Sequence, residues 1–164
     1  SFGRQCLLAR RMAEAGVRFI ELNYGNWDQH RTLKTSLERN CGATDQPIAA
    51  LLADLEKRDM LKDTLVMWGG EFGRTPHAQN GDGRDHNNKG YTMWMAGGGV
   101  KAGSVYGSSD RIGAQPATNR ASPGDVVSTM YRLLGVDHEH LLYDSLARPH
   151  QVVPEGRVIR ELIG

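Results

Sequence analysis

Two short apolar runs, Thr64–Trp68 and Tyr91–Ala96, enclose a loop dense in charged and coordinating side chains. Each run has the length and the aliphatic and aromatic content of a strand, whereas the loop between them is polar. A chain of this pattern must bury both runs in a sheet and leave the loop at its margin. In open α/β sheets the chemistry lies in loops leaving the carboxyl ends of strands. Glu71 follows the first run and Asp85-His86 closes the loop before the second, so a site is expected there.

The flanking sequence supplies helices. Phe2–Ala15 carries Leu8, Met12 and Ala15 at helical spacing and stops at Gly16. Val17–Leu22 is nearly all apolar and predicts a strand buried on both faces. Ile48, Leu51, Leu52 and Leu55 form an apolar stripe that predicts a helix from about Asp45 to Arg58, with Pro47 in its first turn. Ser122-Pro123-Gly124-Asp125 has the cap, the proline and the acid of a helix start, and Gly135 stops that helix. Strand character returns at Gln151–Val153 and a short helix is expected over Val158–Ile163. Helices alternating with strands predict an α/β layer with a mostly parallel sheet.

At 164 residues the chain is long enough for one domain with a core. A net charge of +1 gives no electrostatic basis for binding nucleic acid or a membrane surface. The sequence has no apolar run of about 18 residues that would predict a transmembrane segment. Ser1–Cys6 shows neither an initiator Met nor a signal-peptide pattern, so the expectation is a fragment or processed piece of something longer. Cys6 and Cys41 are too few for a disulfide framework.

The strand expected at Val17–Leu22 opens into Asn23–His30. Asp28 and His30 stand two positions apart there, so in an extended segment they face the same side. A carboxylate and an imidazole converging in this way suit a divalent metal. Arg74 and Arg84 flank the loop residues, and a guanidinium grips a tetrahedral oxyanion with two donors. Lys89, three residues after His86, is placed to reach the same anion. Tyr24 and Trp27 are candidates for a sugar-binding wall or for plain packing. The chain has no Gly-x-Ser-x-Gly elbow, which argues against an α/β-hydrolase triad.

Taken together, Trp27–His30, Glu71–Pro76, Gly83–His86, Ala96–Gly103 and the helix Asp125–Met130 followed by Leu133–Val136 resemble the bacterial DUF1501 proteins. These are regarded as sulfatase-like members of the alkaline phosphatase superfamily. The resemblance covers nearly the whole chain and is to the C-terminal part of such a protein. It implies a three-layer α/β fold with a mostly parallel sheet and flanking helices. Residues 1–164 would be a single α/β domain or the C-terminal fragment of one. It also implies a site of one or two divalent metals. Asp28 and His30 resemble its first loop, Glu71 the carboxylate after the next strand, and His86 the later histidine, with Asp85 a ligand or orienter. Here Glu71-Phe72 stands where the superfamily commonly has Asp-His or Asp-Asn, and Asp28 and His30 lie closer together than usual.

Two functions follow from that resemblance. The first is a metal-dependent hydrolase of sulfate or phosphate esters. Asp28, His30, Glu71, Asp85 and His86 would serve the metal, and Arg74, Arg84 and Lys89 the anion. The nucleophile would lie outside this chain. This donor set favours zinc or manganese, with calcium or magnesium as alternatives. The expected partners are a sulfated or phosphorylated small molecule or glycan and the remainder of the protein's own longer chain. A periplasmic or exported location is implied. The second function is a non-catalytic binding or scaffold module in a cell-envelope assembly.

Overall fold

The computed structural model describes residues 1–164. It contains three helices, α1 (Phe2–Glu14), α2 (Leu33–Lys57) and α3 (Pro123–Leu133). Eight short strands are β1 (Val66–Trp68), β2 (Gly73–Arg74), β3 (His86–Asn87), β4 (Trp94–Ala96), β5 (Ser108–Ser109), β6 (Pro116–Thr118), β7 (Leu141–Tyr143) and β8 (Pro149–Gln151). They pair as four separate two-stranded antiparallel sheets: β1–β4, β2–β3, β5–β6 and β7–β8.

This corrects the expected architecture. There is no central, mostly parallel sheet and no three-layer arrangement, so the topology conflicts with a sulfatase-like, alkaline-phosphatase-superfamily description. The connection between the two apolar runs explains the difference. Parallel neighbours need a crossover, usually a helix. Between Trp68 and Trp94 the chain makes only the β2–β3 hairpin, so it returns antiparallel, with Met67 opposite Met95. The Trp68 and Trp94 rings stack at that register, 6.3 Å apart and nearly coplanar. Val17–Leu22, expected as a strand, carries no regular secondary structure because no neighbour in the chain pairs with it.

The helices form two small packing centres. α1 lays Cys6 and Ala9 against α2, where Leu55 is 2% exposed. Nearly buried Arg10 crosses this contact to Asp54 at 2.8 Å and also meets Glu14 on its own helix. α2 begins twelve residues earlier than the apolar stripe indicates, so Pro47 is interior. Its ring packs where Gly3 leaves α1 without a side chain. The added turns bury Asn40 and Thr44 rather than apolar residues, so no hydrophobic stripe marks them. No helix is long and apolar enough to cross a membrane.

α3 organises the second centre. Ser122 Oγ accepts from Asp125 N–H, and Asp125 Oδ2 accepts from Ser122 N–H at 2.8 Å, completing a capping box. Asp125 Oδ1 also accepts from Arg157 N–H at 2.8 Å, and Thr129 Oγ1 accepts from Ile159 N–H at 2.9 Å. These bonds lay the tail along α3 and bury Val153 and Ile159.

Burial alone would raise the Asp125 pKa. Hydrogen bonds from the Ser122 and Arg157 backbones and the Ser122 side chain outweigh it and hold the value below 3.8. The carboxylate therefore stabilises the fold above its unfolded-state pKa, and that stability is lost as pH falls through the lower folded value. Asp125→Ala is expected to cost about 2 kcal/mol at neutral pH, because two backbone donors lose their acceptor. The loss should shrink on acidification, as read by urea unfolding across the acid range.

Candidate metal centre

Three segments distant in sequence meet on one surface. Asn23–Thr32 leads into α2, the β2–β3 hairpin turns beside it, and the Thr75–Asp85 loop joins the two strands of that hairpin. Backbone bonds stitch them: Arg84 N–H donates to Gln29 C=O at 2.9 Å, and Thr32 N–H donates to Asp82 Oδ1 at 2.9 Å. Gln79 and Gly83 close the tip through a pair of backbone bonds of 2.9 and 2.8 Å. Gly83 must be glycine, since a Cβ there would lie 1.9 Å from the His30 carbonyl oxygen. From the other side, the fully buried Asn40 of α2 donates its side-chain amide to the Asn26 carbonyl, which also accepts from Gln29 Nε2.

This frame brings Asp28, His30 and His86 together. His86 Nε2 lies 2.9 Å from Asp28 Oδ1, His30 Nε2 lies 3.0 Å from the same oxygen, and the two Nε2 atoms are 3.1 Å apart. The three form a group with one ligand atom each, all within 4.8 Å of one another. Donors bound at right angles, about 2.0–2.2 Å from one cation, stand about 2.8–3.1 Å apart. The triangle therefore fits one divalent ion and leaves its outward side open, because Asp28 is 65% exposed.

Neighbouring groups fix how these donors present themselves. His30 Nδ1 is 2.7 Å from Gln79 Oε1; the bond selects the Nδ1–H tautomer and leaves Nε2 a free lone pair. His86 leans on Phe72, with ring centroids 4.4 Å apart. The β2–β3 register sets Arg74 opposite His86, so both side chains share a face. Arg74 lies over the same Phe72 ring, 5.6 Å from its centre, and its Nη1 is 2.8 Å from Asp28 Oδ1. That nitrogen is buried and its angle to Asp28 is off the hydrogen-bond line, so the contact is one of charge. The hydrogen bond to His86 and then the Arg74 guanidinium lower the Asp28 pKa from 3.8 to about 2. Asp28 is thus ionised throughout the pH range in which metals bind.

The other expected residues take separate positions. Glu71 and Asp85 lie outside the trio. Glu71 is exposed, and Asp85 Oδ1 turns back to accept from His86 N–H at 2.7 Å. Arg84 donates from Nη1 to the Gly83 carbonyl at 2.8 Å, and Lys89 is exposed without an ion pair. Tyr24 and Trp27 pack edge to edge, with Phe2 against Tyr24, so they serve the loop's attachment to α1. Gln79 and Phe72 carry no motif, and sequence reasoning passed over both; only the glycine beside the histidine pair, Gly83, left a trace.

The family model described as "Protein of unknown function (DUF1501)" matches residues 1–163. Neither a curated protein nor a solved structure matches the chain.

Proposed function

The chain belongs to the DUF1501 family, and we propose that it binds one divalent cation through Asp28, His30 and His86 to act on sulfate or phosphate esters. The observation that carries this reading is the triangle of donors 2.9, 3.0 and 3.1 Å apart on an exposed surface. A bound divalent cation polarises an ester oxygen and offsets charge on the leaving group. Around it the chain's own residues have distinct tasks. Gln79 holds the His30 tautomer, Phe72 supports His86, and Arg74 supplies a fixed positive charge beside the open side, where an anionic oxygen would approach. Arg84 and Lys89 are farther candidates for the same anion. No serine, threonine or cysteine belongs to the donor group, so the nucleophile is assigned outside these residues. Two imidazoles and one carboxylate favour zinc or manganese over calcium or magnesium.

Calorimetric titration of the metal-free protein with Mn²⁺ and with Zn²⁺ tests the reading. One equivalent per chain is expected, together with hydrolysis of an aryl phosphate or aryl sulfate by the longer native protein. Failure to bind either ion would remove the site; full binding without turnover on either ester would favour the binding or scaffold module. Arg74→Lys is expected to keep the ion but weaken inhibition by inorganic phosphate or sulfate about 10- to 100-fold, because the forked donor is lost.

A further inference from the structure

The segment after α1 is built like a strand but has no strand beside it. From Arg18 to Gly25 no backbone N–H or C=O makes a hydrogen bond within the chain. Side-chain exposure nonetheless alternates: Phe19, Glu21 and Asn23 are exposed, while Ile20, Leu22 and Tyr24 are half-buried. That period of two is the signature of a pleated strand lying on a surface. Its outward row includes Phe19, 73% exposed, and the neighbouring face of α1 leaves Leu8 56% exposed. Leu8, Ala9 and Met12 of α1 with Phe19, Ile20 and Leu22 line a groove of about 420 Å³.

The whole surface carries the same message. The chain exposes 11548 Å², whereas a compact monomer of its 18.1 kDa mass exposes about 8,100 Å². The excess, about 3,400 Å² on this side alone, exceeds what one partner contributes even to most obligate two-chain interfaces, about 1,000–2,500 Å². Surface on that scale belongs inside a larger fold.

We propose that Val17–Tyr24 is an open strand position that receives an apolar β-strand from a part of the same protein outside these 164 residues. The incoming strand would satisfy the free backbone groups from Arg18 to Gly25 and fill the groove against Leu8, Met12 and Phe19. Its chemistry is set by both requirements: extended, free of proline at pairing positions, and apolar on the side facing α1. The proposal does not depend on the metal reading. It does bear on that site, since Asp28 follows four residues after Tyr24.

Hydrogen–deuterium exchange on the longer native protein tests it. Amides from Arg18 to Tyr24 should exchange at least about 100-fold more slowly than in an unstructured peptide. Exchange at the free-peptide rate overturns the proposal. So does protection that disappears on dilution together with a dimer in sedimentation, which would make a second copy the occupant. A native protein whose mass equals that of these residues overturns it as well. As a second readout, Phe19→Ser should lower the unfolding midpoint of the native protein; an unmoved midpoint means that Phe19 stays in water and the groove is empty.

Discussion

Substitution of His86 by alanine is expected to remove metal binding, lowering affinity by more than about 100-fold. Loss of a residue that merely orients a ligand typically costs 10- to 100-fold, and His86 is one of only three donors. The variant should fold, because His86 is exposed and its backbone, rather than its ring, makes the β2–β3 pair. A second readout needs no metal. The His86 hydrogen bond is the largest influence holding Asp28 at a pKa of about 2, so in the variant that value should climb toward 3.8. Carboxyl NMR across the acid range would record the climb, and titration with Mn²⁺ would record the affinity. Unchanged affinity would mean that any bound ion sits elsewhere. An unchanged Asp28 titration would mean that the three side chains do not meet.

Gly83→Ala is expected to be the most damaging small substitution in the loop. The added methyl would fall 1.9 Å from the His30 carbonyl oxygen, 2.1 Å from its carbon and 2.8 Å from Arg31 N. These are backbone atoms and cannot swing aside as a side-chain tip does. The Asn23–Thr32 segment must back away, which breaks the Arg84–Gln29 bond and carries His30 off Gln79. A cost of about 2–3 kcal/mol is expected, with weaker ion binding. Gly81→Ala is the control. Gly81 has a positive φ of 88° but nothing within 4 Å, so alanine there meets only its own backbone preference. A cost of about 1 kcal/mol with normal ion binding is expected there. Urea unfolding and metal titration of both variants separate the two effects; equal behaviour would mean that the loops are not in the contact described.

How far the sequence is legible depends on where the information is stored. α3 is readable because Ser122, Pro123 and Asp125 act within one turn. The first half of α2 is not, because what holds it is Asn40 and Thr44 reaching across to other segments, and polar residues at those positions make no stripe. Strand direction is also hidden. Thr64–Trp68 and Tyr91–Ala96 look alike whether they pair parallel or antiparallel, and only the lack of a helix between them decides it. The resemblance to a parallel-sheet superfamily therefore misled about architecture, while the DUF1501 family itself is shown by the match over residues 1–163. Within the site, Asp28, His30 and His86 are conspicuous because metal-ligating side chains are few and sit in short glycine-flanked runs. Gln79 acts through a single 2.7 Å contact to a ring 49 positions away, and nothing local announces it.

Asn40 sits wholly out of water in the middle of the longest helix, with its amide on the carbonyl of Asn26. Through that one residue the loop bearing two of the three donors is moored to the α1–α2 pair. Ion occupancy and helix rigidity thereby become a single linked equilibrium, so a cation at the surface steadies a helix it never touches. The same tether works in reverse: whatever loosens the two helices loosens the grip on the ion.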